Sequence, residues 1–182
     1  MEPPERIKSK STGVLRSAML KVKLLHPDAK LPTVTYAGSD LGYDLYSIED
    51  VTLEPGVPAK VRTGIAVEGV AGHGFILGDR SSMAARGITY AGGRIDAGYR
   101  GEILVCLINT NQPKFHLRCI RNEHGVLTGV ALEKTDVSLR IRKGDKIAQM
   151  SPFASMTSGP VVAVEELSAS ERDQKGFGSS GR

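Results

Sequence analysis

The sequence predicts an all-β chain closed into a sandwich or barrel, with one short helix. Three observations carry that expectation. Short apolar or alternating runs recur along the chain, each bounded by Gly, Pro, Asn or Asp. No stretch sustains the 3.6-residue period of a long amphipathic helix. Glycine is abundant, 21 of 182 residues, which suits a fold with many tight turns. Hydrophobic residues make up 40% and charged residues 24%, an ordinary globular balance in a chain long enough to bury a core without staples.

Charge and composition narrow the function. The net charge of +4 favours polyanions, and both nucleotides and nucleic acid qualify. No Lys/Arg run is dense enough for a nucleic-acid arm, so a stable nucleic-acid partner is not expected. Without a signal peptide or an apolar run of membrane length, the expected location is cytoplasmic, with no membrane contact. Cys106 and Cys119 lack metal spacing, and His26, His73, His116 and His124 are scattered, so no protein-held zinc site is expected. Cys106 lies in an apolar run and reads as a small core residue.

Residues 1–18, rich in Pro, Glu, Lys, Arg and Ser, are expected to be a disordered tail ahead of a β domain over 19–168. Alternation over 20–25 predicts the first strand, and 31–36 a weak, Pro-interrupted edge strand. Asp40 and Asp44 follow, four apart around Gly42. Either one of them holds water on a metal ion, or both are turn carboxylates capping backbone amides. Residues 51–56 read as a strand ending in a Pro-Gly turn, 59–67 alternate around Thr63-Gly64, and 74–77 form a short strand. The helix falls in 78–87, where Ser81 or Ser82 can cap it and Gly87 can end it. With Arg80 and two hydroxyls, its start is either an anion site or a plain cap.

The stretch 93–102, GRIDAGYRGE, reads as a β-hairpin arm turning at Ala97-Gly98, with Asp96 and Tyr99 at its tip. A carboxylate and a phenol beside a tight turn can reach a ligand, although an ordinary hairpin with a solvated Asp has the same pattern. Residues 103–108 are apolar throughout, which predicts a strand buried on both faces. Residues 113–136 are expected to form an inserted, protruding hairpin, 137–141 a strand, and 147–150 an apolar run interrupted by Gln149. A buried amide needs partners, so Gln149 orders a neighbour or a ligand, or makes a structural hydrogen bond. A last strand is expected over 161–164. The tail, 169–182, is Gly/Ser-rich and flexible by composition, yet sets Phe177 between glycines near Arg172. As a mobile lid, it would stack Phe177 on a flat ring and bring Arg172 to phosphate.

Five of these stretches resemble, in order, the motifs of the trimeric dUTP pyrophosphatase (dUTPase) family: GSDLGYDLYS, RSSMAARGI, GGRIDAGYRGEI, GDKIAQM and ERDQKGFGSSG. Together they span nearly all of 20–182. The resemblance implies a jelly-roll-like β-barrel assembled as a homotrimer whose active sites are shared between subunits. The implied reaction is hydrolysis of dUTP to dUMP and pyrophosphate with Mg²⁺. Asp96 matches the catalytic base, and Tyr99 the residue packed under the deoxyribose, where a ribose 2′-hydroxyl would clash. The backbone of Gly93, Arg94, Ile95 and Asp96 would pair with the uracil edge. Arg80, Ser81 and Ser82 match the phosphate-binding motif, and Gln149 a support for the phosphate and water network. Asp44 matches the acid linked to magnesium, through water. Arg172 and Phe177 match the tail's phosphate clamp and uracil lid, with Gly178 and Ser179 lending amides to the γ end.

Some positions depart from the family pattern. Arg94 stands where an apolar residue or Thr is usual, Tyr90 near an Asn that lines the uracil pocket, and Ala91-Gly92-Gly93 for Ser-Pro-Gly. Asp173 and Lys175 replace tail glycines, and the insertion at 113–136 exceeds the usual short connection. The related dCTP deaminase family shares the fold and a similar RSS helix, but places its catalytic Glu where this chain has Cys106. A non-catalytic, dUTPase-like regulator working through the hairpin and N-terminal tail is the other alternative. Binding without turnover would mark it.

Overall fold

The structure is a computed structural model that describes residues 20–155, 157, 159–166 and 168. The expected N-terminal tail and the lid residues Arg172, Phe177, Gly178 and Ser179 lie outside these. Thirteen strands and one short helix are present among the described residues. They are β1 (Leu20–Leu24), β2 (Tyr43–Tyr46), β3 (Val51–Leu53), β4 (Ala59–Arg62), β5 (Ile65–Gly69), β6 (His73–Gly78), α1 (Ser81–Ala84) and β7 (Ile88–Tyr90). There follow β8 (Arg94–Ile95), β9 (Leu104–Asn109), β10 (Phe115–Arg121), β11 (Leu127–Lys134), β12 (Leu139–Ile141) and β13 (Lys146–Ala154).

Every strand pair is antiparallel. The largest sheet runs β2-β13-β6-β8, and a second runs β4-β9-β7, with the pairs β1-β5, β3-β12 and β10-β11 completing the set. Alternation along these strands puts Leu45, Leu77, Met150, Val61, Val105, Leu107, Leu53 and Ile141 into one shared core. Asn109 is fully buried in it, with no exposed surface, and is satisfied on both sides. Its Nδ2 donates to the carbonyls of Leu53 and Val137, and its Oδ1 accepts from Asn111. This amide ties β3, β9 and the approach to β12 together.

Five local expectations change, the first at 31–36, where no strand forms and only Thr33 pairs, as an isolated bridge to Asp44. The arm is not a hairpin: β8 pairs with β6, whereas β9 pairs with β4 and β7, so its limbs belong to different sheets. Gly98 is not among the residues with positive φ, because no two-residue hairpin turn is made there. β9 is not buried on both faces. Val105, Leu107 and Asn109 point into the core, while Leu104, Cys106 and Ile108 keep exposed surface. Cys106 is thus half-buried on the outer side of its strand. Residues 161–164 form no strand and make no sheet pairing, and Val161 is fully exposed.

Candidate active site

Two clusters of candidate side chains emerge, one on each flank of the four-stranded sheet. The first is built around Asp44 on β2, which is 4% exposed. Three partners surround its carboxylate. Lys146 Nζ lies 2.7 Å from Oδ2, and Gln149 Nε2 donates to Oδ1 at 3.3 Å. Arg80 Nε lies 3.0 Å from Oδ1 but off the line a hydrogen bond needs, so that contact is an ion pair alone. Burial by itself would raise the Asp44 pKa. The Lys146 hydrogen bond, the Arg80 charge and the Gln149 amide outweigh it and hold the group below its ordinary value.

Strand geometry explains how Lys146 and Gln149 reach one carboxylate. Residues three apart on a regular strand point to opposite faces. The β13–β2 register shifts between Lys146 and Ala148, so Lys146 faces Tyr46 and Gln149 faces Asp44. Tyr46 and Asp44 are two apart on β2, so the extra residue restores the common side. Arg80 enters from the N-terminal end of α1, and its Nη1 also donates to the Lys146 carbonyl at 3.4 Å.

Ser81 and Ser82 do not cap the helix. They are its first two residues, both exposed, and Arg80 occupies the N-cap position without a side-chain cap bond. Among the described residues their hydroxyls make no hydrogen bond, so they can face a ligand rather than their own backbone. Asp40, by contrast, is a turn carboxylate that accepts the amides of Thr35 and Tyr36. Of the two acids in the GSDLGYD stretch, Asp40 is thus the turn carboxylate, while Asp44 meets side chains and caps no backbone amide among the described residues.

The second cluster is the arm. A cavity of about 220 Å³ is lined by Leu77, Arg94, Ile95, Asp96, Tyr99 and Glu102, among others. The arm's first limb is held by Leu77, whose N–H donates to the Gly93 carbonyl at 2.7 Å, leaving one lone pair of that oxygen for a ligand. β6 can come this close because Gly74 has no side chain: a Cβ there would stand 2.5 Å from the Ile95 carbonyl oxygen. At the tip, the Tyr99 amide donates to the Asp96 carbonyl at 3.0 Å, and Arg100 Nη1 donates to the Ala97 and Tyr99 carbonyls at 2.8 Å each. The Asp96 carboxylate is exposed and makes no hydrogen bond or ion pair among the described residues, so it can take a proton donor from solution.

Tyr90 packs its ring against Gly93, where a Cβ would lie 2.4 Å from Cε2, and its amide donates to Asp79 at 3.1 Å. Lys146, Arg62 and Glu102 escaped the sequence reading, although Lys146 and Glu102 sit inside two of the quoted motifs. No hydrogen bond or ion pair joins the Asp44 cluster to the arm among the described residues.

Against this geometry, the family model described as dUTPase matches residues 28–122. A deoxyuridine 5'-triphosphate nucleotidohydrolase of Thermobifida fusca is 37% identical over 171 residues, spanning 92% of this chain and 82% of that protein. The chain belongs to the dUTPase family. Among solved dUTPases, that of Staphylococcus bacteriophage 80alpha with dUpNHpp superposes with a TM-score of 0.73 at 36% identity, covering 90% of this chain and 98% of that one. A mutant dUTPase from phage phi11 of S. aureus, described with a structural Mg(II) ion, gives a TM-score of 0.66 at 27% identity, covering 84% of this chain and all of that one. The all-β fold with one short helix is thus the dUTPase fold.

Among the described residues no group of three His, Cys, Asp or Glu forms a metal cage. Asp44 is a single buried carboxylate beside the basic groups Arg80 and Lys146. That set fits a magnesium ion that arrives with a triphosphate, because Mg²⁺ is commonly held by one or two carboxylates plus substrate phosphates.

Proposed function

We propose that this dUTPase-family chain hydrolyses dUTP to dUMP and pyrophosphate, using Asp96 as the base. The observation that carries the reading is the arm. A free, exposed carboxylate shares one cavity with a fixed phenol and a backbone limb, in a chain of this family. Asp96 orients a water and accepts its proton as the water oxygen bonds to the α-phosphorus. The bond from that phosphorus to the α–β bridging oxygen breaks, and pyrophosphate leaves. An ordinary carboxylate is a weak base, so positioning supplies much of the effect.

The remaining roles are part of the proposal. Tyr99 packs against deoxyribose, and the backbone from Gly93 to Asp96 reads the uracil edge. Arg80, Ser81, Ser82 and Gln149 hold the triphosphate. Magnesium held at Asp44 would neutralise phosphate charge. Arg172, Phe177, Gly178 and Ser179 would close over the nucleotide; the family motif alone supports that assignment. A homotrimer with shared sites is supported by the separation of the Asp44 cluster from the arm. The arm of one subunit would complete the phosphate cluster of the next.

The test is pyrophosphate release from dUTP, dCTP, dTTP and UTP with Mg²⁺, by the native chain and by Asp96→Asn. Release from dUTP alone, reduced by a factor of about 10² or more in the variant, is expected. Ammonia from dCTP would assign the chain to deamination instead. Tight dUTP binding without product would make it a regulator.

A further inference from the structure

The foot of the arm carries a side-chain clamp outside the roles assigned so far. The Glu102 side chain is 20% exposed, and both of its oxygens are engaged. Oε1 accepts the Gly64 amide at 2.9 Å and Arg62 Nε at 3.2 Å, while Oε2 accepts Arg62 Nη2 at 3.1 Å. Both partners belong to the corner between β4 and β5, which is itself fastened. The Arg62 amide donates to Glu49 Oε1 at 2.9 Å, and the Gly64 carbonyl accepts the Leu25 amide at 2.7 Å. Between them in sequence, Thr63 Oγ1 donates to the Ile103 carbonyl at 2.6 Å, and the Ile103 amide donates to the Ile65 carbonyl at 2.8 Å.

Tyr99 rests on this foot. Its Oη donates to the Glu102 carbonyl at 3.1 Å. Its ring lies so close over Gly101 that a Cβ there would stand 2.4 Å from Oη and 2.6 Å from Cζ. The height of the ring is therefore set by Gly101 and by the peptide between Glu102 and Ile103, whose Glu102 side is held by the carboxylate and whose Ile103 amide is held by the Ile65 carbonyl.

We propose that Arg62 and Glu102 are positioning residues that hold Tyr99 at the sugar and thereby set discrimination between deoxyribo- and ribonucleoside triphosphates. The inference rests on the dUTP reading of the arm. A ribose differs by one oxygen, and a steric filter rejects it only if the filter cannot recede. A guanidinium–carboxylate fork resists such movement better than a point charge, because its paired bonds fix direction as well as distance. Arg62 does not line the cavity, so its substitution alters the support without removing a ligand contact.

Steady-state hydrolysis of dUTP and UTP by the full chain with Mg²⁺, comparing the native protein, Arg62→Met, Arg62→Lys and Gly101→Ala, tests this. Arg62→Met is expected to lower the dUTP-over-UTP ratio of kcat/KM about tenfold. The change should lie mainly in a raised KM for dUTP and better use of UTP, with kcat for dUTP altered less because Asp96 is untouched. Arg62→Lys, which keeps the charge without the fork, should fall between. Gly101→Ala displaces the ring with the clamp intact and should change the ratio, which shows that the ratio reports the ring's place; Arg62→Lys decides the matter if Arg62→Met does not fold. An unchanged ratio in the folded variants, against a selective native enzyme, overturns this inference alone. A native enzyme that treats dUTP and UTP alike, or hydrolyses neither, overturns the dUTP reading and the inference with it.

Discussion

One buried carboxylate serves two cations and an amide at Asp44, which links the proposed phosphate cluster to folding stability. Its folded pKa lies below the ordinary 3.8, so its contribution to stability is full above that value and is lost as pH falls through the lower folded value. Asp44→Asn should therefore melt below the native protein at neutral pH, with the gap closing under acid conditions. Thermal melts of both proteins across that range check it, and a gap independent of pH would count against the pairing. The sequence carried Asp44 as one of two acids around Gly42 but could not separate them. The choice depends on which backbone or side chain each meets, and Asp44 meets groups from β13 and from the approach to α1. Lys146 was hidden for a related reason. An extra residue in β13 turns it to the same side as Gln149, against the two-residue alternation that strand reading assumes.

At the scale of elements, local chemistry was legible and pairing was not. Turn residues marked most strand ends, and Met83 with its small neighbours marked the helix. The arm has the turn-rich composition of a hairpin, but its limbs find partners far away in sequence, Phe75 and Ile76 for one and Ala59 to Arg62 for the other. Residues 161–164 have the composition of a strand and find no partner among the described residues. The β10–β11 ribbon is the reverse case. Among the described residues it pairs only with itself, and it exposes Phe115, Leu117, Val130 and Leu132 on one face. Its other face carries an ion-pair set of His116, Arg118 and Glu133. No residue of this ribbon lines the cavity or touches Asp44. Replacing 113–136 by a short linker should leave kcat and KM for dUTP unchanged, as measured by pyrophosphate release. A large loss of turnover would tie the ribbon to catalysis.

The all-β class was readable over the whole molecule because period-two patterning and turn chemistry act locally everywhere in the chain. The separation of the Asp44 cluster from the arm was not readable in the residue pattern, because no hydrogen bond or ion pair joins the two among the described residues, and shared sites came only as what the family resemblance implies. If neighbouring subunits share the site, mixing two inactive proteins restores it. Asp96→Asn refolded together with Arg80→Ala should regain dUTP hydrolysis, since some interfaces then carry both intact residues. Each protein alone should stay inactive, and the absence of recovery in the mixture would place both clusters in one subunit's site. The arm adds one more consequence. It is a seam sewn into two sheets, with Gly93 stitched to β6 and Ile103 to β5, beside Leu104 on β9. The cavity therefore exists only while the seam is closed. Amide protons at Leu77 and Ile103 should exchange with solvent no faster than the whole barrel opens, and a nucleotide in the cavity should slow that exchange at both stitches together.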